Sequence, residues 1–111
     1  MPNRTAQLDR VFHALADRTR RAVLERLSGG PAPVSELAQP FDMALPSFTQ
    51  HLQVLERSGL VRSRKSGRVR TYRLAPDRLN VAGHWMARQR LLWGRRLNQL
   101  DRYLLDLEEK R

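Results

Sequence analysis

The sequence contains no cysteine among its 111 residues. Without thiols the chain forms no disulfide, no cysteine-ligated zinc or iron–sulfur site, and no cysteine-based metal or redox sensor. It also lacks any run of 18 apolar residues, so no segment is predicted to span a bilayer. Residues 1–10 are polar and lack the apolar run of a signal peptide, which predicts a cytoplasmic protein.

Acidic residues are scarce relative to basic ones. Asp and Glu number 11 against 21 Lys and Arg, which gives a formal net charge of +10. This excess predicts a polyanionic partner such as DNA, RNA or an anionic membrane. The chain length fits one domain with a core that needs neither metal nor disulfide.

Signals of an enzyme are weak. The three histidines are scattered, and none is paired with a carboxylate in a familiar motif. Gly29-Gly30 lacks the Lys and Ser/Thr that continue a phosphate-binding loop. The sequence therefore predicts a protein that is not an enzyme and has no cofactor.

Apolar residues spaced three and four apart predict five helices. Asp17 is placed as the N-cap of the second, Ser35 opens the short third, and Pro46 lies in the first turn of the fourth. Gly59 follows the fourth helix, where a residue of positive φ is common. The predicted helices cover residues 4–16, 19–27, 36–39, 46–58 and 77–109.

Two short strands, residues 60–63 and 69–74, are predicted between the fourth and fifth helices, with a hairpin tip at residues 64–68. The order α-α-α-α-β-β-α predicts a mainly helical winged helix-turn-helix fold with a β-hairpin wing. Residues 1–111 then form one domain. Within it, residues 34–58 form the helix-turn-helix, residues 60–74 form the wing, and residues 4–16 and 77–109 form dimerisation helices.

The hairpin has the strongest functional signal. Residues 62–73 include six basic side chains and no acid. Guanidinium groups on a narrow hairpin suit DNA phosphates or the negative potential of a narrow minor groove. The alternative is a solvated strand edge whose cations discourage aggregation. The predicted wing contacts to DNA are Arg62, Arg64, Lys65, Arg68 and Arg70.

The fourth helix has a polar face near its N-terminus. Ser and Thr suit phosphates or base edges, and Gln pairs with adenine in the major groove. The alternative is the polar face that any surface helix carries. The predicted DNA contacts on this helix are Ser47, Thr49, Gln50 and His51. Nearby, Arg18, Arg20 and Arg21 have two interpretations, a phosphate clamp or surface ion pairs with Asp17 or Glu25.

The last helix carries an apolar stripe that is too long for one small domain to cover. We expect it to pack against a second copy of the chain, together with apolar residues of the first helix. The alternative is a stripe folded wholly into its own domain. The predicted dimer interface consists of Leu8, Phe12, Leu15, Trp85, Met86, Trp93, Leu97, Leu100 and Leu104.

Four segments in this order resemble the ArsR (SmtB-like) winged-helix repressors of bacteria: ALADRTRRAVL (14–24), VSELA (34–38), SFTQHLQVLERSGLV (47–61) and GRVRTYRL (67–74). The resemblance implies a homodimer with the first and last helices at its interface. It also implies a fourth helix that reads DNA, a wing on DNA, and an effector that releases the operator.

The chain departs from the family pattern where the family binds metals. Residues 37–41 have no thiol in place of the family's Cys-x-Cys pair. The last helix has only His84, with Asp77 seven residues before it. We therefore expect no bound metal at either site. Arg18 replaces a proline that is frequent in the family, which is a minor change.

Together these observations predict a dimeric, sequence-specific transcriptional regulator, a repressor that binds a pseudo-palindromic operator in double-stranded DNA. The expected partners are DNA, a second copy of the chain and an effector of unknown identity, with no membrane. Two alternatives remain: a nonspecific architectural protein that binds DNA or RNA, and a protein-interaction module built on the winged-helix fold.

Overall fold

The computed structural model describes residues 4–110, which form five α-helices and three β-strands. In chain order they are α1 (Arg4–Leu15), α2 (Arg18–Leu27), β1 (Ala32–Pro33), α3 (Val34–Ala38), α4 (Leu45–Arg57), β2 (Val61–Ser66), β3 (Val69–Leu74) and α5 (Pro76–Glu109). The fold is mainly helical with a β-hairpin wing. Within these residues, no helix combines the length and the apolar character needed to cross a membrane.

The ends of α2 and α4 follow local signals in the sequence. The Asp17 carboxylate accepts a hydrogen bond of 3.1 Å from the Arg20 backbone N–H, so Asp17 is the N-cap of α2. Pro46 lies in the first turn of α4, where a missing N–H costs no helical hydrogen bond. Gly59, just past α4, has a φ of 81° and turns the chain towards β2.

The start of α3 differs from the prediction. Ser35 does not open the helix, which begins at Val34 with Pro33 as its N-cap residue. Pro33 is extended, with φ −76° and ψ 160°, and it pairs with Thr71 in the sheet. Because the proline ring fixes φ and the strand fixes ψ, the helix starts at the next residue.

The sheet contains a strand that the sequence did not predict. Strand β1 pairs antiparallel with β3, which also pairs with β2, so the strand order is β1-β3-β2. Ala32 lies opposite Tyr72. The added strand fixes the base of the hairpin to the segment before α3.

The hairpin tip is shorter than predicted. Strand β2 extends to Ser66, which pairs with Val69, so Arg64 and Lys65 lie within the strand. The connection is Gly67-Arg68, and only Gly67 has a positive φ, of 62°. Glycine at the first central position matches the type II′ turn, whose twist suits a two-residue hairpin.

The hydrophobic core is formed by buried side chains from the helices and the sheet. Phe48, Leu52 and Leu55 of α4 are fully buried, as predicted from their spacing. They pack with residues of the other helices and the sheet, chiefly Val11, Val23, Leu27, Leu37, Val61, Tyr72 and Ala82. Burial of this face of α4 leaves the opposite face exposed to solvent.

Helix α5 extends well beyond the core. Its 34 residues span about 50 Å at 1.5 Å per residue. Ala82 is its buried residue, and α1 packs against this N-terminal part. From residue 83 onward all large apolar side chains are exposed. Residues 4–110 therefore leave the apolar stripe of α5 uncovered.

Candidate nucleic-acid interface

The four residues predicted to contact DNA from α4 do not share one surface. Ser47 and Gln50 are exposed, whereas Thr49 and His51 are half-buried. Gln50 lies opposite the buried face of the helix, and Ser47 lies on the same turn. His51 follows Ser47 by one turn and lies towards α2. The structure thus places Gln50 at the centre of the outward surface and His51 at its edge.

Two further polar residues lie on the outward surface of α4 that the sequence reasoning did not select. Gln53 and Arg57 are exposed and follow Gln50 by three and seven residues. Residues at these spacings are neighbours on one helix face. The helical period that identified Phe48 and Leu52 as core residues would also have identified Gln53 and Arg57 as neighbours of Gln50 on the opposite face.

His51 is held by a buried arginine. The Arg20 guanidinium lies 3.1 Å from Nδ1 of His51, and the Asp17 carboxylate lies 3.7 Å from the same nitrogen. Arg20 is only 9% exposed, although it carries a charge. The sequence reasoning did not predict this contact, by which Arg20 connects α2 with α4.

Within residues 4–110, Arg20 and Arg21 do not form the surface ion pairs with Asp17 or Glu25 that were one interpretation of them, and the phosphate clamp stays a prediction. Arg20 donates from Nε to the Ala14 carbonyl at 2.8 Å and from Nη2 to the His13 carbonyl at 2.9 Å. Arg21 donates from Nη1 to the Leu15 carbonyl at 2.7 Å. The last carbonyls of a helix lack intrahelical partners and attract cations. Both arginines therefore cap the C-terminal end of α1.

Asp17 is stabilised as a carboxylate in this cluster. Burial raises the pKa of Asp17, but the hydrogen bonds from the backbone N–H groups of Arg20 and Thr19, together with the cationic charge beside the carboxylate, outweigh burial. The pKa of Asp17 therefore lies below its ordinary value of 3.8. At neutral pH the N-cap is ionised, which favours its interaction with the N-terminus of α2.

The cations of the wing lie on both faces of the hairpin. Because side chains alternate along a strand, Arg62 and Arg64 share one face, and Lys65 shares the other with Val61. Arg70 lies opposite Lys65, and Arg68 lies in the turn. The five predicted wing residues are exposed but do not form one continuous surface.

The hairpin pairs like charges across its strands. Arg62 lies opposite Arg73, and Lys65 lies opposite Arg70. Like charges directly opposite each other destabilise a strand pair. In the part of the chain from 4 to 110, none of these cations forms an ion pair with an acidic side chain. A polyanion bound along the wing would relieve this repulsion.

One acidic residue, Glu56, contacts the base of the wing through Ser63 of β2. The Ser63 hydroxyl donates to the Glu56 carboxylate at 2.6 Å and accepts from Arg70 Nη1 at 2.8 Å. This chain of hydrogen bonds ties β2 and β3 to the C-terminal part of α4. Burial raises the pKa of neighbouring Tyr72, and the Glu56 charge raises it further, so the tyrosine is neutral at physiological pH.

The residues predicted for a dimer interface fall into two groups. Leu8, Phe12 and Leu15 of α1 are half-buried against the core of their own chain. The members on α5 are exposed to different degrees, from 37% for Trp85 to 66% for Trp93. They are Trp85, Met86, Trp93, Leu97, Leu100 and Leu104. The structure thus joins the α1 group to the core and leaves the α5 group uncovered.

Among residues 4–110 there is no group of three or more His, Asp or Glu side chains placed to hold a metal ion. His84 lies in a groove between α1 and α5 that is also lined by Arg4 and Arg88. Cationic neighbours disfavour a metal ion at this histidine.

Comparison with curated proteins identifies related regulators. Residues 15–64 match the family described as helix-turn-helix domain. The HTH-type transcriptional regulator Rv2034 of Mycobacterium tuberculosis (strain ATCC 25618 / H37Rv) is 48% identical over 71 residues, which are 64% of this chain and 66% of Rv2034, just under two thirds. The transcriptional repressor SdpR of Bacillus subtilis (strain 168) is 30% identical over 79 residues, 71% of this chain and 88% of SdpR.

Solved structures share the fold. The crystal structure of the ArsR family transcriptional regulator RHA00566 has a TM-score of 0.79 and 54% identity, and the match covers 85% of this chain and 97% of that protein. The solution structure of a homodimeric winged helix-turn-helix DNA-binding domain, Mb0332 from Mycobacterium bovis, has a TM-score of 0.61 and 30% identity. That match covers 89% of this chain and 93% of the fragment.

Proposed function

The chain belongs to the ArsR family of winged helix-turn-helix transcriptional regulators, and on that premise we propose that it is a homodimeric repressor acting in the cytoplasm. It binds a pseudo-palindromic operator in double-stranded DNA. Helix α4 reads bases in the major groove, and the wing contacts phosphates or the minor groove. An effector that releases the operator is part of the proposal, with no chemistry assigned to it.

The observation that carries the proposal is the pairing of like charges in the wing. Arg62 opposite Arg73 and Lys65 opposite Arg70 cost stability in the free protein. The backbone of duplex DNA carries about one negative charge per 1.7 Å of its axis, which is dense enough to neutralise several such cations at once. A hairpin designed only for solubility would intersperse acids among its cations.

Specificity is assigned to α4. Gln50 lies at the centre of the exposed face of α4, and a glutamine amide makes two hydrogen bonds to adenine in the major groove. Ser47 lies near the helix N-terminus, which supports a contact to a phosphate oxygen. Gln53 and Arg57 extend the same face and add a second amide and a cation.

The dimer is assigned to α5. Its exposed apolar stripe needs a partner, and the homodimeric state of the Mb0332 domain supports a second copy in that role. Two copies related by a two-fold axis place two α4 helices about one helical turn of DNA apart, which is 10–10.5 base pairs. A bound dimer represses by occupying DNA that the transcription machinery needs, and the name of SdpR, a transcriptional repressor, agrees with this mode.

The test is selection of binding sites from a pool of random duplexes. We expect the full-length protein to enrich an inverted repeat with half-site centres about 10 base pairs apart. The Gln50→Ala variant is expected to enrich a different or degenerate base at one position of each half-site. Arg68→Ala is the matched control, because loss of a backbone contact weakens binding without changing the enriched sequence.

Other outcomes identify other functions. Retention of all duplexes without an enriched motif indicates a nonspecific architectural protein. Retention of no duplex by a folded dimer indicates a protein-interaction module. An unchanged motif with Gln50→Ala removes Gln50 from the residues that read bases.

A further inference from the structure

Arg20 makes three side-chain hydrogen bonds in three directions. Two go to the carbonyls of His13 and Ala14 at the end of α1, and the third goes to His51 Nδ1 on α4. The last bond joins residues that are 31 positions apart in sequence. A single buried side chain thus links the helix that packs on α5 with the helix assigned to reading DNA.

The chemistry of arginine determines the state of the histidine. A guanidinium has only donors, so Nδ1 of His51 must accept the hydrogen bond through its lone pair. In a neutral ring with Nδ1 accepting, the proton is on Nε2. Nε2–H is then the one polar group of the ring that Arg20 does not use. The side chain is 24% exposed, at the edge of the outward surface of α4.

Two side chains of opposite charge, Asp17 and Arg20, lie beside Nδ1 of His51. Asp17 Oδ2 lies 3.7 Å from Nδ1, farther than Arg20 Nη1 at 3.1 Å. The Asp17 carboxylate is already used as the N-cap of α2, where it accepts from the Arg20 backbone N–H. Arg20 is therefore the partner that sets the orientation of the ring.

We propose that Arg20 is a positioning residue for DNA recognition, which holds His51 so that Nε2–H is presented to an acceptor on the operator. The acceptor is a base edge or a phosphate oxygen. Arg20 itself makes no contact with DNA in this proposal, because it is only 9% exposed and Nε, Nη1 and Nη2 each point to a partner within the protein. This inference rests on the proposed function, since it concerns how the fourth helix is presented to DNA.

Two isosteric substitutions of His51 test the proposal. The amide of asparagine reaches the place of Nδ1, so His51→Asn retains an acceptor for Arg20 but loses the outward donor. The amide of glutamine reaches the place of Nε2, so His51→Gln retains the outward donor. Both residues are neutral and helix-compatible, and His51 is partly exposed, so we expect both variants to fold.

Affinity for the selected operator is measured by fluorescence anisotropy. We expect His51→Gln to bind about fivefold more weakly than wild type, since it loses the bond to Arg20 but keeps the outward donor, and His51→Asn to bind about 30-fold more weakly, since the contact to DNA is lost. The reverse order, with the asparagine variant tight and the glutamine variant weak, would overturn the proposal, because Nδ1 would then face DNA. Equal wild-type affinity for both variants would also overturn it, because His51 would then make no contact with the operator.

A double-mutant cycle separates positioning from structural support. Arg20→Lys keeps the charge, but its donors radiate from a single nitrogen and cannot reach the three acceptors that Nε, Nη1 and Nη2 of Arg20 reach. We expect this change to weaken operator binding about fivefold in wild type and to have no effect in a His51→Ala background. Equal weakening in both backgrounds would show that Arg20 acts only through the fold. Thermal unfolding of each variant confirms that the compared proteins are folded. If Arg20→Lys does not fold, the comparison of His51→Gln with His51→Asn decides the proposal.

The cycle also distinguishes this inference from the proposed function. A wild-type protein that shows no preference for any duplex contradicts the regulator itself, and the positioning role with it. If the wild-type protein prefers its operator and the His51 variants bind that operator with wild-type affinity, only the positioning role is contradicted.

Discussion

Phe12 of α1 meets Trp85 of α5 edge to face, with ring centroids 5.6 Å apart and ring planes at 74°. This geometry is favourable for aromatic pairs because the positive edge of one ring meets the negative face of the other. The contact joins α1 to the part of α5 nearest the core. This contact fixes the direction in which the exposed remainder of α5 leaves the core. In the proposed dimer, the apolar stripe of that remainder packs against a second chain.

Two leucines of α5 provide a matched test of that stripe. Leu97 is 62% exposed and lies in line with Trp93 and Leu104, whereas Leu91 is 64% exposed and lies about 120° away around the helix. We expect Leu97→Glu to raise the dimer dissociation constant on the order of 100-fold, since a charge would be buried in the interface. Leu91→Glu is expected to leave it unchanged. Sedimentation equilibrium measures both, and equal effects of the two changes would place the interface elsewhere.

Wing cations are expected to set the salt dependence of DNA binding. Loss of one phosphate contact lowers the magnitude of the slope of log affinity against log salt by about 0.9. We expect Arg64→Ala and Arg68→Ala each to show this decrease in anisotropy titrations between 50 and 300 mM salt. Arg102→Ala removes the same charge from the exposed surface of α5 and should not change the slope. A slope that changes equally in all three variants would indicate only an effect of net charge.

Two glycines with positive φ should differ in their tolerance of a side chain. At Gly67, with φ 62°, an added Cβ meets no atom within 4 Å, so Gly67→Ala costs about 1–2 kcal/mol for the left-handed backbone alone. At Gly59, with φ 81°, the Cβ would lie 2.6 Å from Cγ of Arg78. We expect Gly59→Ala to lower the free energy of unfolding in urea by at least about 1 kcal/mol more. Adding Arg78→Ala should recover most of that difference, and no recovery would mean that the contact does not limit the site.

The cap at Asp17 predicts a pH dependence of stability. Its folded pKa lies below the ordinary 3.8, so its contribution is fully present above that value and is lost as the pH falls through the folded pKa. We expect Asp17→Ala to lower the free energy of unfolding by about 1 kcal/mol at pH 7, the usual loss for an N-cap. The difference from wild type should shrink below pH 3.8. Asp17→Asn, which keeps a capping oxygen, should lose less, and a difference independent of pH would exclude the ionised cap.

The features predicted from sequence are those that depend on nearby residues. Asp17 as a cap, Gly59 past a helix end, and the buried spacing of Phe48 and Leu52 were all predicted and confirmed. Each depends on the conformational preferences of a few successive residues. The same reasoning predicted the winged helix-turn-helix order.

The features that were missed depend on residues far apart in sequence. Strand β1 has two residues, one of them a proline, and exists because it pairs with Thr71 and Tyr72. The role of Arg20 depends on carbonyls of α1 and on a histidine of α4. Neither partner is marked by a pattern around Arg20, so sequence reasoning offered only a phosphate clamp or a surface ion pair.

The central claim is sequence-specific recognition of DNA, and one titration tests it most directly. Fluorescence anisotropy compares the DNA upstream of the protein's own gene with a scrambled duplex of equal length, near physiological salt and with excess competitor. Specific sites are commonly bound at least 10³-fold more tightly than nonspecific DNA, so we expect tight binding to the native fragment and none to the scrambled one. The account would be contradicted if the protein bound both duplexes equally or bound neither of them, and if no motif was enriched from the random pool.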